Sequence, residues 1–357
     1  MRVGLVLEQC LAPVPGGTGR YSREIAAALA RRAPAGSHVS STTAWHRSVS
    51  GAVVPGVDGP HRLPLGRRPL YAAWERGVGP GVRAELVHAP TPLAPPRRGR
   101  LVVTVHDAVP WTHPETLTPR GVRWHRVAVE RAAGTADLLV VPTQAVATEL
   151  ARHVPLREVL VVGHGVSADL GVPADADTRA VRMDLPEQYL LTVATLEPRK
   201  GLSVLLSALT DPGAPDVPLL VVGQPGWGGL DLQAEASRLG LRDVRLLGRV
   251  PDADLAVLLD RATAAVVPSR AEGFGLPVLE AMAAGTAVVI SPDPALVEVG
   301  AHAVLVAPDQ ELPAALRRVV EDEALRAQLA SAGRARAAAF TWDAAADALW
   351  SAYAAIS

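Results

Sequence analysis

The sequence predicts two doubly wound α/β domains in tandem, on three observations. Short apolar, β-rich runs alternate with helical stretches from end to end, as in parallel sheets covered by helices on both faces. The alternation lapses once, over residues 167–186, which hold no strong period and lie between Gly/Pro signals. The chain has 357 residues, 49% hydrophobic and 20% charged, enough for two cores of ordinary size.

In the first domain, residues 1–166, strands are expected at Arg2–Leu7, His38–Thr43, Glu85–His88, Leu101–Val105, Asp137–Val141 and Glu158–Val162. Helices fit Arg20–Arg32, Pro119–Ala133 and Thr143–His153. In the first of these Ile25, Ala28 and Leu29 recur at helical spacing, with Arg23, Glu24 and Arg31 left for water. Ser48–Arg68, rich in Gly, Pro and Arg, reads as a long surface loop, and 167–186 as an interdomain linker. The second domain, 187–340, repeats the pattern. Its strands fit Tyr189–Leu196, Pro218–Gly223, Val244–Leu247, Ala264–Pro268, Thr286–Ile290 and Val304–Val306. Its helices fit Gly201–Leu209, Leu230–Leu239, Asp252–Arg261, Pro277–Ala284, Glu311–Val320 and Glu323–Ala338, and a last helix, Thr341–Ala355, lies in 341–357.

Composition narrows the function. The single cysteine, Cys10, excludes a disulfide framework and a thiolate metal cluster and suits a reducing cytoplasm. No apolar run approaches the length of a membrane span. The net charge of −1 hides a split: residues 1–165 carry 20 arginines against 11 acidic residues, and the remainder is correspondingly acidic. Of the 35 basic residues only Lys200 is a lysine, which marks it, because an ammonium and a guanidinium are not interchangeable at a tight site. There is no P-loop, nucleophile elbow or zinc helix, and Gly17–Ser22 only approximates a dinucleotide fingerprint. Asp252-Ala253-Asp254 has metal-binding spacing but opens a helix after Pro251, where acidic residues complement the dipole. No recognition motif supports nucleic-acid binding.

Two segments carry chemistry. In Pro268–Met282 a strand ends, a glycine-bearing turn follows, and Pro277 suits the first position of a helix. Backbone N–H groups around Phe274–Val278 are then expected to face an anion at the strand's carboxyl end. Glu272 and Glu280 border the same pocket, Glu280 in the first helical turn, where carboxylates would oppose a phosphate unless they bind hydroxyls of a sugar or ribose. In Thr195–Gly201, Arg199 and Lys200 follow the second domain's first strand, placed to clamp a diphosphate where such sheets bind ligands.

Together these segments resemble glycosyltransferase family 4, retaining nucleotide-sugar enzymes of the GT-B fold, and most closely its mannosyltransferase-like members. Glu272 and Glu280 match the family's E-x7-E element, and Glu197-Pro198-Arg199-Lys200-Gly201 its phosphate-binding element. Gly16–Tyr21 looks like its glycine-rich loop before the first helix, and Thr104-Val105-His106-Asp107 like its His-Asp segment. The resemblance implies two Rossmann-like domains facing across a cleft, with the last helix crossing back to the first. Arg199 and Lys200 would hold the donor diphosphate, approached by Gly16 and Gly17, with Glu197 also among the donor-binding residues. Glu280 would take the ribose, and Glu272 with Gly273, Phe274, Gly275 and Leu276 the transferred sugar. His106 would lie near sugar or acceptor. The implied reaction moves a hexose, mannose from GDP-mannose first, to a hydroxyl acceptor, with no protein nucleophile, obligatory metal or other cofactor. Thr195 stands where many members place a further phosphate-binding arginine.

The basic first domain would suit a phosphorylated or lipid-linked acceptor at an anionic membrane face, with Arg97, Arg98, Arg100, Arg67 and Arg68 as candidate contacts. The competing readings are a transferase using UDP or another nucleotide, a nucleotide-sugar 2-epimerase and a non-catalytic sugar-nucleotide-binding protein.

Overall fold

The structure, a computed structural model, describes residues 1–357. It comprises two compact units, one of Met1–Pro114, Thr118–Gly165 and Thr341–Ser357, the other of Glu115–Leu117 and Val166–Phe340.

The first unit is built on seven parallel strands: β1 (Arg2–Val6), β2 (His38–Trp45), β3 (Asp58–Gly66), β4 (Leu86–Ala89), β5 (Arg100–Thr104), β6 (Leu138–Val141) and β7 (Val159–Val161). They lie in the order β3-β2-β1-β4-β5-β6-β7, all pairs parallel. The central strands are near-continuous runs of Val and Leu because helices cover both faces. Those helices are α1 (Gly16–Arg31), α2 (Arg67–Glu75), α3 (Val109–Thr112), α4 (Pro119–Thr135) and α5 (Gln144–Leu150).

The second unit holds β8 (Leu190–Val193), β9 (Leu219–Val222), β10 (Val244–Gly248), β11 (Ala264–Val267), β12 (Val288–Ile290) and β13 (Leu305–Val306), parallel in the order β10-β9-β8-β11-β12-β13. Its helices are α6 (Ala176–Arg182), α7 (Leu202–Ala208), α8 (Leu232–Arg238), α9 (Asp252–Arg261), α10 (Leu276–Ala284), α11 (Pro294–Gly300), α12 (Leu312–Glu321) and α13 (Glu323–Ala337). Both sheets therefore reverse direction beside their first strand, at β1/β4 and at β8/β11. At such a switch point the loops leaving two strands diverge and open a crevice at the carboxyl ends.

Three expectations change. Ser48–Arg68 is not a loop: it contains β3 and runs into α2. β3 carries Pro60 and Pro64, which remove ladder donors, and it survives because it is an edge strand. The stretch 167–186 is no free linker, since it forms α6 and joins the second unit, where Arg179 and Arg182 each donate to Asp254 at 2.7 Å. The glycine-rich segment does not precede the first helix but supplies its opening turn, from Gly16.

The last helix, α14 (Trp342–Ile356), belongs to the first unit. It lies on α1, where Trp350 Nε1 donates to the Leu29 carbonyl at 3.0 Å. Arg31 reaches Asp343 at 2.7 Å and Arg32 reaches both oxygens of Asp347 at 2.8 Å. The chain leaves this unit at Gly165 and returns beside it, for a Cβ there would stand 2.2 Å from the Trp342 nitrogen. Only glycine allows so close an approach.

Beneath α14 runs a buried polar chain. His88 meets the Tyr353 hydroxyl at 2.5 Å through Nδ1 and the Thr104 hydroxyl at 2.8 Å through Nε2, and Thr104 meets Tyr21 at 3.1 Å. Burial pushes the His88 pKa down to about 3 and also lowers those of His106 and His164, so the fold disfavours protonation of all three. In the unfolded chain they take up protons below pH 6.5. Asp293, raised to about 6, works in the opposite sense but with one proton. Folding free energy should therefore fall on passing from pH 7 to pH 5, on the order of 3 kcal/mol by linkage. Urea unfolding at the two pH values checks this, and equal midpoints would contradict it.

Candidate active site

The two segments singled out by their chemistry meet at the switch point of the second sheet. β8 runs out through Leu196 into a single 3-10 turn, Pro198–Lys200, closed by Gly201 in the left-handed region at φ 66°. β11 runs out through Pro268 into the loop bearing Glu272. The Arg270 N–H donates to the Arg199 carbonyl at 2.8 Å, joining the loops by their backbones. A Cβ on Gly201 would fall 1.9 Å from the Pro268 carbonyl oxygen, so the approach requires glycine twice over.

Across this junction lies a knot of charge. Arg199 Nη1 donates to Glu272 Oε2 at 3.2 Å, Lys200 Nζ to Glu272 Oε1, and Ser269 Oγ to the same Oε1 at 2.8 Å. Arg199 Nε also lies 3.3 Å from Glu197 Oε2. The side chains of Lys200 and Glu272 are only 12% and 8% exposed, so water contributes little. Burial alone would raise the Glu272 pKa, but the Lys200 and Arg199 charges and the hydrogen bonds of Lys200 and Ser269 pull it down to about 2. Burial and the neighbouring Arg199 lower the Lys200 pKa against the pull of Glu272. At neutral pH the knot holds two cations and the Glu272 anion, with Glu197 beside Arg199.

The turn after Glu272 departs in detail from expectation. α10 begins at Leu276, so Pro277 is its second residue, and Gly275 precedes it at φ 88°. A Cβ on Gly275 would meet Leu296 at 2.4 Å. The Val278 N–H is not free, since it donates to the Gly275 carbonyl at 2.9 Å, whereas the N–H groups of Gly275 and Leu276 have no protein acceptor. Glu280 lies in the second turn of α10, not the first, and is 5% exposed. The Phe274 ring packs edge-on to Phe340 at 5.7 Å. An open groove of about 590 Å³ beside the clamp is lined by Glu197, Pro198, Gly201, Gly228 and Arg270, within the size range of ligand sites.

A third loop contributes residues that sequence reasoning missed. Asp293 caps α11, accepting the Ala295 and Leu296 N–H groups at 3.0 Å, and its other oxygen accepts the Glu272 N–H at 3.2 Å. Ser291 donates from its hydroxyl to the Ser269 carbonyl at 2.5 Å. Asp293 followed by Pro294 is a legible helix start and could have revealed both α11 and this brace. Asp254 of the D-x-D triplet is occupied by Arg179 and Arg182.

The first unit holds the rest. His106 follows β5 and donates from Nε2 to the Pro90 carbonyl at 2.8 Å, which fixes its tautomer and leaves Nδ1 as an acceptor. Its ring meets Tyr21 edge-on at 4.7 Å. Gly16 and Gly17 are exposed at the start of α1. The arginines expected to act together separate. Arg97, Arg98 and Arg100 sit where β5 begins, Arg97 and Arg100 both held by Asp137, while Arg67 and Arg68 follow the carboxyl end of β3.

Two parallel sheets of this order, joined by a terminal helix that returns to the first unit, define the GT-B class of glycosyltransferases. Among solved structures, sucrose-phosphate synthase from Thermosynechococcus elongatus superposes with a TM-score of 0.78 at 23% identity, over 100% of this chain and 99% of that one. WaaG, a glycosyltransferase involved in lipopolysaccharide biosynthesis, superposes at 0.73 and 22% identity over 97% of each chain. Residues 15–170 match the family described as Glycosyltransferase Family 4, and residues 175–336 that described as Glycosyl transferases group 1. The chain is 32% identical over 271 residues to O-antigen chain mannosyltransferase B of Escherichia coli, covering 72% of this chain and 71% of that one. It is 35% identical over 236 residues to D-inositol 3-phosphate glycosyltransferase of Segniliparus rotundus, covering 61% of this chain and about half (52%) of that relative. The chain belongs to glycosyltransferase family 4 and is a glycosyltransferase.

Gly201 and Gly16 both adopt positive φ, but only Gly201 is enclosed. Gly16→Ala should cost about 1 kcal/mol, the left-handed penalty alone, and Gly201→Ala about 3 kcal/mol or more because the clamp must also move. Denaturant midpoints measure both, and equal losses would contradict the packing described.

Proposed function

We propose that the enzyme transfers a hexose, mannose from GDP-mannose in the first instance, to a hydroxyl acceptor with retention of configuration and without a metal ion. The observation that carries this reading is the buried meeting of Arg199, Lys200 and Glu272 at the switch point. It concentrates two cations where a diphosphate would lie, beside the open N–H groups of Gly275 and Leu276. The donor's diphosphate would take over the charge of Arg199 and Lys200. Glu272, relieved of these two partners, would then accept hydroxyls of the sugar together with the turn Gly273–Leu276. Glu280 would accept the ribose hydroxyls, Glu197 would hold Arg199 in place, and Gly16 and Gly17 would let backbone approach the diphosphate.

In the reaction the glycosidic C–O bond to the leaving phosphate breaks as the acceptor oxygen attacks from the same face. The acceptor proton passes to the departing phosphate oxygen. Lys200 and Arg199 stabilise the negative charge growing there, a task for fixed cations in a water-poor site. No protein nucleophile is needed. His106, neutral and with Nδ1 open as an acceptor, would position a sugar or acceptor hydroxyl. Occupation of Asp254 by two arginines supports the metal-free reading, because the D-x-D carboxylate is already engaged.

The mannose reading draws on the similarity to O-antigen chain mannosyltransferase B. A UDP-sugar is the second reading, suggested by the fold's likeness to Anabaena HepE, solved in complex with UDP-glucose at a TM-score of 0.76 and 22% identity, over 99% of this chain and 100% of that one. We place the reaction at the cytoplasmic side, with the acceptor a glycan, glycolipid or small molecule. No helix is long and apolar enough to cross a membrane, and peripheral contact with anionic lipid would rest on the basic first unit.

Nucleotide release from GDP-mannose, UDP-glucose and related donors, with and without EDTA, tests the proposal. Lys200→Ala should lower turnover about 100-fold or more, ~2.7 kcal/mol of transition-state stabilisation. Glu280→Ala should mainly weaken donor binding, and EDTA should change nothing. Near-normal turnover in Lys200→Ala would refute the clamp assignment.

A further inference from the structure

The loop after β12 holds Glu272 from behind. Asp293 spends one carboxylate oxygen on the start of α11, accepting the Ala295 and Leu296 N–H groups at 3.0 Å, and the other on the Glu272 N–H at 3.2 Å. Two residues earlier, the Ser291 hydroxyl donates to the Ser269 carbonyl at 2.5 Å, and Ser269 Oγ donates in turn to Glu272 Oε1 at 2.8 Å. Both ends of the segment Ser269–Glu272 are thus gripped by Ser291 and Asp293. A helix cap alone does not call for a carboxylate at this place. Serine and asparagine cap helices about as well as aspartate, and here aspartate sets a second carboxylate beside Glu272 in a half-buried position. Burial, with the Glu272 charge behind it, pushes the Asp293 pKa up to about 6 against the N–H groups it accepts. The surroundings therefore disfavour the very charge that the residue carries at neutral pH. What the carboxylate alone supplies is two accepting oxygens on a short side chain, whereas asparagine and serine each have a single oxygen.

We propose that Asp293 is a positioning residue for glycosyl transfer: holding the Glu272 backbone with one oxygen while the other caps α11, it keeps the Glu272 carboxylate aimed at the transferred sugar. The proposal rests on the glycosyl-transfer reading above. The Glu272 side chain is fixed by Arg199, Lys200 and Ser269. On that reading the donor diphosphate takes the two cations, and Ser269 and the backbone brace remain to direct the carboxylate. Asp293 therefore matters most after the donor has bound, and it acts on the sugar end of the donor rather than on the phosphates. An amide at this position separates the two tasks. Two N–H groups of α11 against one of Glu272 turn the single amide oxygen of Asp293→Asn to the helix, so the cap survives. Its NH2 group then faces the Glu272 N–H, donor against donor, and the brace is lost.

Three measurements on the full-length protein test this: kcat for nucleotide release from GDP-mannose and UDP-glucose, dissociation constants of GDP and UDP, and the urea unfolding midpoint. Asp293→Asn should lower kcat about tenfold or more, because small misplacements of groups that hold a substrate are costly. Its GDP and UDP affinities should stay within about twofold of the wild type, and its unfolding midpoint should be close to the wild-type value. Asp293→Ala, which loses the cap as well, should lower both kcat and the midpoint. Asp322 caps α13 through the Leu325 N–H at 2.8 Å and serves as the matched control. Asp322→Asn should leave kcat unchanged. Wild-type kcat in Asp293→Asn would overturn the proposal. So would a loss of kcat matched by equal losses of GDP affinity and unfolding midpoint, since Asp293 would then serve the fold alone. No turnover of either donor by the wild type would overturn the glycosyl-transfer reading itself, and the proposal with it.

Discussion

The structure of the second unit depends on placing Lys200 and Arg199 against Glu272 out of contact with bulk water. Removing charges from water is costly, and such an arrangement persists only when geometry and hydrogen bonds satisfy each group. Here each is satisfied from a different loop: Ser269 on the glutamate oxygen, Glu197 on the arginine, and Asp293 on the Glu272 backbone. The sheet order makes this possible. Because β8 and β11 are neighbours whose following loops diverge, two segments more than 60 residues apart in sequence arrive at one crevice. Gly201 and Gly275 then permit the backbones to approach where a side chain would collide.

The first unit applies the same topology to another end. Its switch point carries Glu8 after β1 and Pro90 after β4, which orient Arg67 and His106 respectively. Beneath them, the Tyr353–His88–Thr104–Tyr21 chain links α14 to the sheet through neutral groups. That choice suits a buried position, since neutral hydrogen-bonded groups avoid the desolvation cost of ions. Charge is kept to the rim, where Arg31 and Arg32 pair with Asp343 and Asp347.

Most of the sheets were legible because a parallel strand buried on both faces reads as an unbroken Val/Leu run. β3 was not, because an edge strand tolerates the prolines that argue against a strand anywhere else. α6 was missed because its Gly/Pro-bounded stretch was read as a linker, and α11 because its Asp293-Pro294 start was passed over. The cationic pair and the glycine turn were legible as separate motifs. Their union through Glu272 was not, since no local pattern specifies which carboxylate a distant lysine will meet. The same limit blurred the arginines: sequence grouped Arg67 with Arg97, Arg98 and Arg100 by charge alone, and only strand direction assigns them to opposite ends. Glu280 was read one turn too early because Pro277 was taken as the first helical residue.

The central claim is that the Arg199–Lys200–Glu272 knot is a preformed receptor for two linked phosphates. Comparing the dissociation constants of a nucleoside diphosphate and its monophosphate, in the wild type and in Lys200→Ala, tests this most directly. The account predicts that the wild type prefers the diphosphate by about tenfold or more, one charge-assisted contact's worth, and that the variant loses most of that preference. Equal affinities in the wild type, or a preference untouched by the substitution, would contradict it.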